Sequence, residues 1–511
     1  MPRLVLLWIS AAFLVGIFMT GESPISINWP YGLIMAALFL FYSLLKKKKH
    51  ANRFLFLSLL LASFFCGSLR YQFFSQDSSR NPAAQIPSDI TLTMQGLVVE
   101  PTLHSIQYGE TVIELRNIID TEGDWQPADG RARVRLPESF TFEYHTSVTL
   151  EGKLISAVDA DSKAHTSWLK RNGIDYQMLY PTVVEEVPAE DFSFMGTLYT
   201  FRSRAYQVLQ SIMPFPESEL LAGILLGIES RIPDYLSEAY RLTGTAHILA
   251  ISGFNIALIS GIINRFFNRI LPYRVGALAS IFTIALYALF VGARPPVLRA
   301  ALMGIVSIPA YLIGRRIIGI HTLAITAACM ALFNPYLLWD VSFQLSICAT
   351  FGILMFTDFF TQKADILLQK SSLPSKDFVL GFMKDFLITT FSAQLATFPV
   401  LVSHFEDFSL ISPLVNLLIL PLQPSIMILG SIALLAGLLF YPLGRFVGLI
   451  AWFIAAFSDQ IVLLFSQTPL TLSFDRTWGL WISLLLNLLL VFLVLRENRK
   501  THSNKNNFSD I

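Results

Sequence analysis

Apolar runs long enough to cross a bilayer recur along almost the whole chain, and this constrains the fold more than any other feature. A helix of about 17–25 apolar residues spans the hydrocarbon core. Such runs lie near 4–20, 31–45, 54–69, from 247 to the NRFFNR segment, 275–292, 296–313, 317–333, 341–357, 385–402, 411–438, 443–467 and 477–495. A polytopic α-helical membrane protein of roughly twelve spans is the expected class. With 54% hydrophobic and 14% charged residues and a mean hydropathy of +0.57, the composition lies far from that of a soluble globular domain. The first run lacks a small-residue cleavage site and is soon followed by further spans, so it reads as a retained anchor. Pro413, Pro421 and Pro424 fall within the run at 411–438, which is expected to break inside the membrane.

Charge gives the threading. KKKKHANR at 46–53, then Arg265, Arg269 and Arg274, GRR at 314–316, a 358–384 loop with Lys363, Lys370, Lys376 and Lys384, and RENRK at the C-terminal end all fall on one side. The positive-inside rule places them in the cytoplasm, together with the N-terminus and a basic tail at 496–511. The segments 1–70 and 244–495 are then the membrane-embedded parts. Cys66, Cys329 and Cys348 lie in or at the ends of apolar runs without a CxxC pair, so neither a disulfide framework nor a cysteine zinc site is indicated.

Between about 85 and 190 the apolar runs give way to short alternating segments such as TLTMQGLVVE, ARVRL and SVTLEGKLISAV, separated by Gly, Asp and Pro. Roughly five strands of this kind suit a small β-rich, OB-like barrel on the outer side of the membrane. From Asp89 to Glu190 there are 17 acidic and 8 basic residues, a poor balance for a single-strand binder, which normally offers a positive groove with stacking aromatics. Arg131, Arg133 and Arg135 alternate along one strand, so a local basic stripe and a purely structural or docking domain both stay open. Residues 200–243 follow, where PESELLAGILLGIESRIPDYLSEAYRLT reads as two amphipathic interfacial helices broken at Pro233.

Within the embedded part, GTAHILAISGFNIALISG at 244–261 carries polar and small residues that a lipid-facing helix does not need. If it is helical throughout, His247, Asn255 and Ser252 spread over roughly 140° of one face. Arg294 and Arg299 flank Pro295 and Pro296, and Arg299 lies inside the hydrocarbon boundary, where it needs a partner, an aqueous cavity or a phosphate. Asp340 and Gln344 share a face at i and i+4, as do Thr390, Gln394 and Thr397 on the next span. Asn416 sits among the prolines of the broken run. Each has a plain alternative: Arg299 pairing with Asp340, interhelical hydrogen bonds for the Gln and Thr side chains, a capping role for Asn416, and packing for His247, Ser252 and Asn255.

Four ordered segments, TGTAHILAISGFNIALISG at 243–261, GARPPVLRAALMG at 292–304, NPYLLWDVSFQLS at 334–346 and SPLVNLLILPLQP at 412–424, resemble the signatures of the ComEC/Rec2 competence family. The resemblance implies a channel in the cytoplasmic (inner) membrane that admits single-stranded transforming DNA, with an OB-like domain after the first helices. His247, Ser252, Asn255, Arg294, Arg299, Asp340, Gln344, Gln394 and Asn416 are then candidates for the translocation path. Longer family members carry a C-terminal metallo-β-lactamase-like domain. The eight histidines here form no HxHxDH cluster, so a form without that domain, with no nuclease site, metal or cofactor, is expected. There is also no G-x-x-x-x-G-K-[ST] loop, so a separate cytoplasmic DNA-translocating ATPase, docking on 358–384, would supply the pull. An extracytoplasmic DNA receptor and a homo-oligomer fit the same picture.

Two other classes compete. A transporter of another anionic or polar solute would use the same residues, although no internal repeat of broken helices is evident. A membrane-embedded enzyme would need a nucleophile and base, and Ser252 with His247, about 140° apart on a helix, is poorly placed for that. The threading predicts that a reporter fused after residue 130 reads outside the cytoplasm and one fused after residue 370 reads inside. A cytoplasmic signal at 130 would overturn both the threading and the outer position of the β domain.

Overall fold

A computed structural model of the chain describes residues 5–22, 37, 48–79, 90–119, 125–157, 168–169, 172–188, 192–312, 318–370, 378–405, 407–468, 470–473 and 476–507. Two helices, α1 (Val5–Glu22) and α2 (Lys48–Ser79), precede a β domain. The expected span at 31–45 falls almost wholly outside the described residues. α1 and α2 cross at two glycines. A Cβ on Gly16 would come within 2.0 Å of the Phe64 carbonyl oxygen, and one on Gly67 within 2.2 Å of that of Phe13. Close backbone approach of this kind is how helices associate where no hydrophobic difference drives them together. Thr20 donates to Ser68 Oγ at 2.8 Å across the same contact.

The β domain contains β1 (Ile90–His104), β2 (Gly109–Ile119), β3 (Trp125–Pro127), β4 (Arg131–Leu136), β5 (Ser147–Ser156), β6 (Tyr176–Leu179) and β7 (Thr182–Val187). Five of these close a ring in the order β1-β2-β4-β6-β5 and back to β1. All neighbours are antiparallel except β4 and β6. This five-stranded, OB-like barrel matches the expectation from alternation and turns. β1 bends through register shifts after Gln95, Val98 and Glu100, which supplies the curvature closure requires. Met94, Ile113, Val134, Leu150 and Met178 point inward and are fully buried. The basic stripe left open by the sequence is offset in part: Arg133 and Arg135 share one carboxylate, Glu110 of β2, at 2.5 and 2.9 Å. Their guanidinium groups also lie over the rings of Trp168 and Tyr108.

The chain continues through α3 (Phe194–Ile212), α4 (Glu217–Leu226) and α5 (Asp234–Leu242). The barrel rests on this region, where Ser230 donates to the His104 carbonyl at 2.6 Å and the Tyr144 and Tyr199 rings meet at 5.4 Å. Here the structure corrects the reading of 216–243 as a pair of surface helices. Every residue of α4 is buried, including Glu217 and Glu219 in its first turn. The two acids complement the helix dipole and find donors in Trp452, Tyr206 and Gln210, which lets a polar turn sit inside. Only α5 is amphipathic, burying Leu236, Ala239 and Tyr240.

The remaining helices are α6 (Gly253–Ile270), α7 (Tyr273–Val291), α8 (Pro295–Leu312), α9 (Gly319–Phe333), α10 (Val341–Lys370), α11 (Phe378–His404), α12 (Ser412–Ile419), α13 (Gln423–Leu439), α14 (Tyr441–Ser466) and α15 (Arg476–Asn507). Among the described residues eight helices are long and apolar enough to cross a membrane, or nine if α12 and α13, bent by 44° at their junction, count as one. That break is the one expected from the prolines. The roughly twelve spans expected from hydropathy are not confirmed: beyond these nine, the run at 31–45 lies almost wholly outside the described residues, and the described apolar helices at Pro295–Ile308 and Gly319–Phe333 are shorter than a full crossing. The 358–384 loop is also shorter than expected, since α10 stays helical to Lys370 and α11 begins at Phe378. Two of its lysines are engaged: Lys363 pairs with Glu497 at 2.7 Å and Lys384 with Asp365 at 2.6 Å.

The α1–α2 crossing is testable in membranes. Thr20→Cys with Ser68→Cys should form a disulfide on mild oxidation, and adding Gly16→Leu should abolish it by forcing the backbones apart. Cross-linking that survives Gly16→Leu would refute the close-approach geometry.

Candidate functional site

The stretch at 244–261 is not one continuous helix. A single 3-10 turn at Ala246–Ile248 is followed by an irregular segment, and α6 begins only at Gly253. Ser252 is its N-cap, accepting from the Asn255 backbone N–H at 3.3 Å, while the Ser252 hydroxyl donates to Asn255 Oδ1 at 3.0 Å. His247, Ser252 and Asn255 therefore do not share a helical face. Ser252 and Asn255 form one capping unit, and His247 lies in the turn before it with its side chain exposed.

Next to that cap lies Arg299, which α8 carries into the bundle. It is 9% exposed. Its Nε donates to Ser346 Oγ at 2.6 Å and its Nη1 to Thr350 Oγ1, both on α10. A Cβ on Gly253 would fall 1.9 Å from Nη2, so the guanidinium presses on the first residue of α6 and only glycine leaves room for it. The alternative of a pair with Asp340 is not formed. Asp340 instead caps α10 by accepting from the Phe343 N–H at 2.8 Å, and among the described residues no carboxylate pairs with Arg299. A buried cation bonded to two hydroxyls and the Met303 sulfur, and pressed against the positive amino-terminal end of a helix, is an arrangement that attracts an anion.

A second polar cluster forms where α11 meets α12. Ser412 receives hydrogen bonds from Gln394 Nε2 at 2.8 Å and Asn416 Nδ2 at 3.1 Å, and donates to the Gly244 carbonyl at 3.2 Å. Gly244 has a left-handed φ of 70° and packs on Ser412, where a Cβ would come within 2.7 Å of the serine Cβ. Asn416 thus neither caps the break nor stands free, although its Oδ1 is buried with no donor among the described residues. The two clusters flank the irregular segment 243–252, one on each side.

Two predicted site residues lie apart. Gln344 donates to the Leu338 carbonyl at 2.7 Å. Arg294 pairs with Glu229 beside Arg202. Arg202, outside the spans, donates to the Leu226 carbonyl at 2.8 Å. Burial draws its guanidinium down to about 10, so it stays charged at neutral pH and favours the carboxyl-terminal end of α4. Ser346, Thr350, Gly253 and Ser412 were missed because small residues in apolar runs carry little hydropathy signal. The i, i+4 spacing of Ser346 and Thr350 could have marked a hydroxyl face. Among the described residues no group of three or more His, Cys, Asp or Glu could hold a metal ion.

Comparison with known proteins adds a family. The chain is 26% identical over 246 residues to ComE operon protein 3 of Bacillus subtilis (strain 168), covering 48% of this chain and 30% of that protein. It is 28% identical over 253 residues to uncharacterized protein YcaI of Escherichia coli (strain K12), covering 48% and 32%, and 28% identical over 225 residues to an uncharacterized protein of Aquifex aeolicus (strain VF5), covering 43% and 48%. These matches span from about a third to a half of the relatives' own lengths. No solved structure matches. The family model described as Competence protein matches residues 224–500, over half of the chain and all of the region that carries both polar clusters, and the chain belongs to that competence family.

Proposed function

We propose that this multi-pass membrane protein takes part in competence DNA uptake, passing one strand of DNA across the cytoplasmic membrane between α6, α8, α10 and α11. Family membership supports the role. The observation that carries the path is Arg299, a buried guanidinium whose partners among the described residues are two hydroxyls and the Met303 sulfur, none of them charged, set against the first turn of α6. A phosphodiester fits such a site because it brings the missing charge and accepts hydrogen bonds from the guanidinium. One isolated cation, rather than a dense row, also suits a conduit, since a strongly basic pore would hold a polyanion too tightly to release it. The Gln394–Ser412–Asn416 cluster would add neutral donors further along.

In this reading both termini face the cytoplasm and the barrel faces outward. An extracytoplasmic receptor delivers DNA to the barrel side, and a cytoplasmic ATPase pulls from the other, with the chain acting as a monomer or homo-oligomer. The role is transport. A transporter of another anionic solute would use Arg299 in the same way, so the cargo has to be tested directly.

Arg299→Leu should lower internalised labelled DNA by about tenfold or more, since a hydrogen bond to a charged group contributes about 1.5–3 kcal/mol and each 1.4 kcal/mol is a decade. Asn255→Leu should lower it less. Protein abundance and surface-bound DNA should stay unchanged in both. Normal import at normal abundance in both variants would remove these residues from the path. Loss of small-anion flux with intact DNA import would favour the second cargo.

A further inference from the structure

The bundle of α3, α4, α5 and α14 buries three acids, Glu217, Glu219 and Asp459, at 7, 3 and 2% exposure. Glu219 is well served by the Tyr206 hydroxyl at 2.8 Å and Gln210 Nε2 at 3.0 Å. Glu217 accepts from Trp452 Nε1 at 3.0 Å. Asp459, inside the α14 span, has one donor only: the Tyr240 hydroxyl reaches its Oδ1 at 2.7 Å, while its Oδ2 is buried with no donor among the described residues. The titratable groups facing it are Tyr240 and Tyr235 from α5 and Glu217 from α4. The neighbouring α12 and α13 carry no titratable side chain, and α3 directs Tyr206 at Glu219 instead. No lysine, arginine or histidine pairs with Asp459 or Glu217 among the described residues.

An ionised carboxylate in this position would face a second acid, lack a cation, and leave half of its acceptor capacity unused. Neutralisation by a proton removes the first two penalties and replaces an unpaired charged oxygen by a neutral carboxyl, which costs less to leave unpartnered. We propose that Asp459 is a proton-binding site within the helical bundle, protonated when α5 is seated on α14 and releasing its proton to water when α5 lifts away. The bond that breaks is the Asp459 carboxyl O–H, and water takes the proton.

Tyr240 connects this acid to the irregular segment. Its hydroxyl holds Asp459, while its carbonyl accepts from the Thr245 N–H at 2.8 Å and from the hydroxyls of Thr243 and Thr245 at 3.2 and 3.3 Å. Between those threonines lies Gly244, whose carbonyl accepts from Ser412, the hub for Gln394 and Asn416. Hydrogen bonds joined through the body of Tyr240 and the backbone of 243–245 thus connect the acid to the polar cluster. Proton release at Asp459 would shift α5 and with it the 243–252 segment, independently of what crosses the membrane.

Infrared spectroscopy of the full chain in lipid nanodiscs tests the site. A protonated-carboxyl C=O band should be present at neutral pH, disappear in Asp459→Asn, and move to higher frequency in Tyr240→Phe, which removes only the hydrogen bond to Oδ1. Survival of the band in Asp459→Asn, or an unshifted band in Tyr240→Phe, would overturn the assignment. The coupling is tested with His247→Cys in a background of Cys66→Ser, Cys329→Ser and Cys348→Ser. The maleimide labelling rate of that protein, divided by the rate of the same protein carrying Asp459→Asn, should rise severalfold on raising pH. A constant ratio would refute the link to the segment.

Discussion

Inside a bilayer no water is available to take up free backbone N–H and C=O groups, and the rest of this structure depends on how that constraint is met where helices stop short. Among the described residues the chain interrupts itself at 243–252 and between α12 and α13. At the first break the Thr243 and Thr245 hydroxyls bond back to carbonyls of α5, Ser252 caps α6, and Ser412 closes onto the Gly244 carbonyl. That serine opens α12, the helix that leads into the second break, where the Leu422 and Gln423 N–H groups bond back to the Ile419 and Leu420 carbonyls. The polar residues proposed for a conduit and those that hold a broken backbone together are therefore partly the same residues.

Much of the architecture was readable from periodicity and composition. Alternation and turn residues placed the barrel, and prolines placed the kink before α13, because both signals are local. What escaped was tertiary. The run at 244–261 is apolar enough to pass for a helix, and the break became visible only with the Ser252 cap, although Ser252 and Asn255 already stood at capping spacing. α4 read as amphipathic and interfacial because its apolar residues, Leu220, Leu221, Ile224 and Leu225, recur at helical spacing. Only the donors on α3 and α14, far away in sequence, explain why it is buried.

The candidate site follows the same pattern. Arg299 stood out in the sequence because a cation inside a span needs a reason, yet Asp340, the partner that spacing offered, is used to start α10. The hydroxyls that hold Arg299 carried no such signal. Asp459 was the larger omission. A single acid within a long apolar run is the same kind of anomaly as Arg299, and by the same rule it marks a place where function is built. The two ionisable groups sit in separate helix clusters, Arg299 bonded across α8 and α10, Asp459 across α5 and α14, so neither serves as the partner of the other.

The contact of Gly253 with the Arg299 guanidinium limits how such a site can change over generations. Any side chain at 253 would push the guanidinium aside, so a change on that wall alters the cation itself. The opposite wall, made by Ser346 and Thr350 one helical turn apart, can accept different small polar residues without disturbing the backbone. Divergence in what this protein recognises would therefore be written on α10, with α6 held as the fixed frame.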